Sequence, residues 1–584
     1  MTRFFSEQGA RAGVLVTAAM TGCLLVSPLG EYEEPAPGAG GTGRGGEGGR
    51  GGNVATGGGG DDGGQAGRPA GGAGAVGGTG TQGGAGGAGE CVTNADCASE
   101  VTGPGRCRDR ACVPLRSDQC FLVEGNPEDD DAVFLGAFAS LYAPSPDEGF
   151  TVYPLRLAVE ELNDPDDDRP PGLNGAELAL VICDNSSPGA IDRAMDHLVR
   201  DVGVAGVLAT LKPGDLVRAF TDHPDVLYLS PIGRTSEVDE LDEELEVPLV
   251  WNLLGQPTDY TAIYVRLLSL VETYVREKNQ YGNLDPIKVA LVVDDQDVDA
   301  ANFELGETLR SELRFNGATT VANGSHFLLL RMSRDTRVAD AVEALWTFVP
   351  DVVISASGSE FTKTEGVLWS LENEWASDTR PFYVLSPYNA GDLGAVRARI
   401  DRRINEAAEL DANSRFIGVS VAGPEDSNNQ NAYAERLQTR FPRTQHPTHP
   451  PDPDTGNFYD AAYFLAYAAY AADLAQPLTG ERMASGLKRL IDPDGAELDV
   501  GPGHSRIVLD TLGRGESVAL FGTLGAPDFT DGYRRVNGSV YCFEMVNGAA
   551  ALRKDVLAYA TDDEFRLNPL WSSFPCFPGF YQPE

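Results

Sequence analysis

Three short apolar runs, Leu178–Cys183, Val202–Ala209 and Val226–Ser230, alternate with two amphipathic stretches, Pro188–Asp201 and Gly214–His223. Apolar runs of that length read as strands buried on both faces, and apolar positions three and four apart read as helices lying on a core. The order βαβαβ predicts a parallel sheet with helices on its faces. Ala132–Ala139 predicts an earlier strand and Phe150–Leu162 a helix with Val152, Leu155, Leu157, Ala158 and Leu162 inward. Pro248–Leu254 predicts another strand. Tyr260–Lys278 predicts a long amphipathic helix carrying Ile263, Leu267, Leu268, Leu270, Val271 and Val275. A second alternation starts near residue 288. Its strands are Lys288–Val293, Asp351–Ile354 and Phe382–Leu385, and its helices Phe303–Phe315, Ala339–Phe348 and Val367–Trp375. Two doubly wound α/β units follow from this pattern. Their strands end in polar, Gly- or Pro-containing residues, where open α/β sheets place ligands, and a cleft between two such lobes is a natural site.

The order of these pieces resembles the leucine-binding, type I family of periplasmic solute-binding proteins. Phe416–Val421 resembles the family strand that leads back to the first lobe. GNFYDAAYFLAYAAYAADLA (456–475) resembles its helix that begins Tyr-Asp-Ala, followed by GLKRLI (486–491). GTLGAPDF (522–529) resembles its Gly-x-x-Gly-x-x-x-Phe turn near the last crossing, and Ser539–Met545 supplies a closing strand. The resemblance covers about 131–548. It implies two lobes that close about a hinge. Neither a cofactor nor catalysis is expected.

Composition adds the setting. A net charge of −42 argues against nucleic acid and anionic lipid surfaces, which would repel the chain. Arg3 and Arg11 flank the start of an apolar run, Ala12–Met20, and Met20-Thr21-Gly22-Cys23 resembles the bacterial lipobox, which implies lipidation at Cys23. A plain cleaved signal and an uncleaved anchor are the alternatives. Leu24 stands where lipoproteins kept at an inner membrane often carry Asp, so the expected location is a bacterial cell envelope, periplasmic or outer-membrane, with the lipid as the membrane contact. Residues 38–89 hold 28 Gly in 52 positions, a flexible tether with an r.m.s. span of about 40 Å. Cys91, Cys97, Cys107 and Cys112 lie in a segment too short for its own core, so two disulfides are expected there. Zinc is the alternative, without a C-x2-C pair or a nearby His to support it. Cys542 can pair with Cys576, which leaves Cys120 with Cys183. The expected organisation is a signal peptide (1–22), a tether (23–90), a Cys-rich module (91–120), lobe 1 (121–255 and 421–525), lobe 2 (256–420), and a closing strand of lobe 2 with a C-terminal segment (526–584).

Candidate ligand-binding residues follow from the resemblance and from the strand ends. The first loop offers Thr210, Lys212 and Gly214. Family members place Ser near Leu211–Lys212, and Lys212 offers a cation, although a solvated lysine at a helix start is the plainer reading. The second loop offers Ser230, Gly233, Arg234 and Thr235, where the family shows Ser-Pro-x-Ala-Thr-Ser. Arg234 would repel an ammonium and bind a carboxylate or phosphate, or it would pair with Glu237 or Asp239 at the surface. In the second lobe, Asp299 falls near a family aromatic, after Asp294-Asp295. That acidic run lacks the Gly and bidentate Glu of a calcium loop, and helix N-capping is its plainer role. Ser359, Glu360 and Tyr388 complete the set. No metal site is expected. His residues are scattered, no H-E-x-x-H, P-loop or G-x-S-x-G occurs, and Gly501-Pro502-Gly503 has no expected strand–helix context. The expected function is capture of a small polar solute, amino-acid-like or anionic, for ABC-type uptake or sensing, with a permease or another envelope protein as partner. The alternative is a protein-interaction module, such as the outer-membrane lipoproteins that activate peptidoglycan synthases.

Overall fold

The computed structural model describes residues 91–98, 103–139, 151–164, 170–186, 189–232, 236–239, 241, 245, 247–282, 285–295, 300–363, 365–375, 379–389, 415–420, 427–446, 451–452, 455–525, 529–530, 534–535, 538–546, 549–559, 565–567, 574–576 and 580. All belong to one compact unit, Gly83–Glu584. The signal sequence, Cys23 and the tether lie outside the described residues. No described helix is long and apolar enough to cross a membrane.

The Cys-rich module is a hairpin of β1 (Gly105–Arg108) and β2 (Ala111–Pro114), held by Cys91–Cys107 and Cys97–Cys112. It is seated on the first lobe. Arg106 donates to the Val202 carbonyl at 2.6 Å and its guanidinium covers the Phe134 ring at 4.5 Å, while Arg108 donates to the carbonyls of Arg200 and Asp201. These carbonyls end a helix, where cations are favoured.

The first lobe contains β3 (Cys120–Gly125), β4 (Val133–Ala139), β5 (Leu178–Asp184), β6 (Gly206–Leu208), β7 (Leu227–Ser230) and β8 (Val250–Asn252). Its parallel strands run in the order β5-β4-β6-β7-β8, and β3 closes one edge antiparallel to β5. The switch point therefore lies between β4 and β6. Cys120 and Cys183 are disulfide-bonded across β3 and β5. The strand expected over Val202–Ala209 is shorter at its start. The preceding helix runs through a π turn to Val202, and Gly203 ends it at φ 81°.

The second lobe contains β9 (Val289–Asp294), a short hairpin of β10 (Arg314–Phe315) and β11 (Ala318–Thr319), then β12 (Phe327–Met332), β13 (Val352–Ala356), β14 (Phe382–Leu385) and β15 (Phe416–Ser420). The order β12-β9-β13-β14-β15 repeats that of the first lobe. Strand alternation sends side chains into two separate cores. Val289, Leu291 and Val293 join one with helix Thr261–Lys278, and Ala290 and Val292 join the other with helix Val338–Phe348. Both faces of the sheet are thus covered.

After β15 the chain returns to the first lobe. Helix Gly456–Ala471 packs beside helix Val152–Asn163, and Gly480–Lys488 beside Gly456–Ala471, all within the first-lobe core. Tyr459, Tyr463 and Tyr467 recur every fourth residue on that helix and are fully buried. β16 (Ala496–Asp499) and β17 (Val518–Phe521) form a parallel pair, and helix Pro502–Gly513 starts after two intervening residues, Val500 and Gly501. Gly501-Pro502 therefore does sit between a strand and a helix, contrary to expectation. A Cβ on Gly501 would meet Arg436 Nη2 at 3.2 Å and Tyr459 OH at 3.3 Å, so the approach to this helix start is filled.

β18 (Phe529–Thr530) and β19 (Arg534–Arg535) extend the first sheet beyond β8, so the chain leaves the first lobe after Arg535, later than the 526 boundary expected. β20 (Ser539–Val546), β21 (Ala549–Tyr559) and β22 (Phe565–Leu567) then add antiparallel strands to the second sheet beyond β15. Cys542–Cys576 ties the C-terminal segment to β20.

The chain thus passes between lobes three times. The crossings meet at Gly538, where a Cβ would lie 2.8 Å from Ile263 Cδ1 and 3.0 Å from Tyr260 Cδ1 and the Ser420 carbonyl. Gly538→Val is expected to separate these strands and lower the melting temperature, measured by calorimetry. An unchanged melting temperature would show that the crossings are not packed at this residue.

Candidate functional site

The carboxyl ends of parallel strands are where the chain stops pairing and exposes loop backbone, and here both sheets direct those ends to the same region. Ser236 follows the loop after β7 and Glu304 follows the loop after β9. The Ser236 backbone N–H donates to Glu304 Oε2 at 3.2 Å and its hydroxyl donates to Oε1 at 3.1 Å. The carboxyl ends of the two sheets therefore meet at this contact.

On the first-lobe side, Asn185 at the end of β5 donates to the Thr210 carbonyl at 2.6 Å and its own N–H donates to the Ala139 carbonyl. This ties together the ends of β4, β5 and β6. The Thr210 hydroxyl oxygen is buried and has no hydrogen-bond partner among the described residues. Burial of an unpaired hydroxyl is unfavourable, so Thr210 is suited to accept or donate to an incoming group. Lys212 is exposed at the N-cap position of helix Pro213–Asp222, with Pro213 at the first helical position. It borders a cavity of about 500 Å³ with Asn185, Ser186, Asp192, Asp215 and Arg218. Arg218 is paired with Asp215 at 2.7 Å, which leaves the cavity with mixed charge. Gly214 is exposed, with open space where a Cβ would project. Ser230 is buried, and its hydroxyl donates to the Ile232 carbonyl at 3.2 Å, so it shapes the turn and is not presented to a ligand. Gly233, Arg234 and Thr235 lie outside the described residues.

On the second-lobe side, Asp294 ends β9 and β13 ends beside it, at that lobe's switch point. Asp294 is 2% exposed and accepts from the Ser357 hydroxyl at 2.5 Å, the Gly358 N–H at 2.9 Å and Asn302 Nδ2 at 3.1 Å. Asp294 itself thus bridges β9, β13 and helix Ala300–Glu312, while Asp297 and Asp299, nearer the helix start, lie outside the described residues. Asn389 extends the bridge to β14. It donates to the carbonyls of Ser357 and Gly358 and accepts from the Ser386 N–H, and Tyr541 donates to the Ser386 carbonyl at 3.1 Å. Every one of these side chains is buried, so strong local hydrogen bonds hold the loops rigid. Asn302 and Asn389 were not singled out from sequence. Their only signal is an Asn a few residues beyond a strand end. Ser359 and Glu360 open a short helix, Ser359–Thr362, and Tyr388 lies in the turn Pro387–Asn389; their side chains lie outside the described residues. Asp299 also lies outside them.

Among the described residues, the one trio of metal-ligating atoms within 4.8 Å of one another belongs to Cys91, Cys97 and Cys107, whose sulfurs are all in disulfides. The zinc alternative has no thiolate to use.

No family model matches the sequence, and no curated protein matches it. Solved structures similar to it include the branched-chain amino acid substrate-binding protein LivJ of Streptococcus pneumoniae in complex with isoleucine, 15% identical, covering 72% of this chain and 99% of that one, with a TM-score of 0.46. The leucine-binding protein LivK of Thermotoga maritima is 13% identical over 74% of this chain and 100% of that one, with a TM-score of 0.44. An ABC-transporter solute-binding protein of Rhodopseudomonas palustris in complex with 4-hydroxybenzoate is 12% identical over 75% of this chain and 98% of that one, with a TM-score of 0.46. The strand orders carry the assignment of the fold. Two lobes of order 2-1-3-4-5 joined by three crossings make a two-lobed fold of the type I periplasmic binding protein kind.

Asp294→Ala removes the acceptor for three donors, two of them buried and one half-buried. It is expected to cost about 2–3 kcal/mol, read by denaturant unfolding. A loss below about 0.5 kcal/mol would show that the loops do not depend on this carboxylate.

Proposed function

We propose that this chain is an extracytoplasmic solute-binding lipoprotein that captures a small polar ligand, amino-acid-like or anionic, between its lobes for ABC-type uptake or sensing. The observation that carries the reading is the Ser236–Glu304 contact, which brings the carboxyl ends of both parallel sheets together. Thr210, with its unpaired buried hydroxyl, and Lys212 stand on one side of that region. The rigid Asp294 bridge stands on the other. A solute held by both sides favours the closed form, and a permease or sensor reads closure. Lys212 and Arg234 favour a net-anionic solute over a zwitterionic branched-chain amino acid. Cys23 would carry the lipid, and the tether would link it to the Cys-rich module.

Thermal unfolding in the presence of amino acids, dicarboxylates, sugar acids and aromatic acids tests this. A true ligand at a hundred times its Kd stabilises by about 2.7 kcal/mol. Arg234→Ala is expected to weaken an anionic ligand at least tenfold by calorimetry. Tight leucine binding that survives Arg234→Ala would contradict the anion preference. Copurification of an envelope protein with no stabilisation by any solute would favour the interaction-module reading.

A further inference from the structure

The Ser236–Glu304 contact does more than mark where the lobes meet. Ser236 directly follows the candidate loop Ser230–Thr235, and Glu304 stands one turn into helix Ala300–Glu312, which follows the candidate loop holding Asp299. Both partners come from protein, both carboxylate oxygens are used, and no solute is needed to complete the bonds. The same helix packs against the first crossing segment, Pro257–Tyr260, so its position is coupled to the hinge. Glu304 is also braced on its own helix, where its carbonyl accepts from the Thr308 hydroxyl at 2.9 Å. Glu307, one turn on, is committed elsewhere, to Arg310 and Arg331. Charge-assisted bonds to a carboxylate exceed neutral ones in strength, but partial exposure to water reduces the gain.

We infer that Glu304 is a positioning residue that latches the lobes together and populates the closed form before any solute enters. This rests on the solute-cleft reading given above. The latch lowers the conformational cost that binding must otherwise meet. Removing it shifts the closed-to-open ratio toward open by about 3- to 10-fold, the range of one or two partly exposed hydrogen bonds. The affinity for any closing solute falls by up to the same factor.

The test uses the full chain with spin labels on Thr221→Cys in the first lobe and Glu312→Cys in the second, both exposed, and no added solute. Distance distributions for the labelled parent protein are expected to show a closed population that falls in Glu304→Ala. Glu304→Gln, which keeps one acceptor oxygen, is expected to recover part of it. Ser236→Ala is expected to lose less than Glu304→Ala, because its backbone N–H still donates. Combining Ser236→Ala with Glu304→Ala is expected to add nothing. Identical distributions for the parent and Glu304→Ala would overturn the latch, as would additive losses in the double variant. The two readings fail separately: lack of stabilisation by every solute would defeat the solute reading and leave the distances informative.

Discussion

Glu372→Ala is expected to melt roughly 10 °C below the parent protein, a loss of about 3–5 kcal/mol. Glu372 is buried in the second lobe. Arg415, itself 1% exposed, donates to both of its oxygens at 2.9 and 2.7 Å. Tyr383 donates at 2.6 Å and Arg380 at 2.8 Å. Burial, the largest influence, opposes ionisation of Glu372. The Arg415 charge and hydrogen bonds outweigh it, with Tyr383 and Arg380 assisting, and hold the carboxyl below its ordinary value near 4.5. Truncation would leave Arg415 charged, buried and without its counter-ion, which is the costly outcome for a buried pair. Removing both charges in Glu372→Ala with Arg415→Met is therefore expected to be milder than Glu372→Ala alone. The sign of the pH dependence follows from the lowered folded-state value. The stabilisation is fully present above about pH 4.5 and is lost as pH falls through the folded-state value. Melting temperatures of the parent and Glu372→Ala should therefore converge in acid. A constant gap from pH 7 to pH 3 would contradict this.

Replacing Cys120 and Cys183 by Ser is expected to cost about 4 kcal/mol, measured by denaturant unfolding. The bridge closes a separation of 63 residues, and a loop of that length loses much conformational freedom in the unfolded chain. It also pins β3 to β5 at the edge of the first sheet, where a lone antiparallel strand has one neighbour. The bridge within the module, Cys97–Cys112, closes only 15 residues and is expected to cost less, about 3 kcal/mol by the same relation. Equal losses for the two bridges would argue against an unfolded-state origin.

The buried elements were legible because parallel strands covered on both faces leave uninterrupted apolar runs. Leu178–Cys183, Lys288–Val293 and Phe382–Leu385 each became a strand within a residue of its expected ends. The helix Thr261–Lys278 followed its amphipathic pattern to its last residue. β12 escaped although Phe327–Met332 is nearly continuous apolar sequence. It lies at a sheet edge, half-buried, among segments with no matching helix period. The hairpin at 314–319 ended the expected helix early. Asn316-Gly317, both at positive φ, is the dipeptide that two-residue hairpins favour, and it was present to be read. Among the candidate site residues, Thr210 and Lys212 reached the strand-end region, whereas Ser230 turned inward to its own loop. The Asp294 bridge escaped because Ser357 and Gly358, which donate to it, and Asn389, which holds them, are brought to it only by strand order. Spacing along the chain carries no trace of that proximity.

The most direct measurement is a crystal structure of the protein with the solute that stabilises it most. That solute is expected between the ends of β6 and β7 on one side and β9, β13 and β14 on the other, within reach of Thr210. Solute seated instead in the 680 Å³ cavity bordered by Asn174, Tyr470 and Arg489, with the strand ends empty, would contradict this.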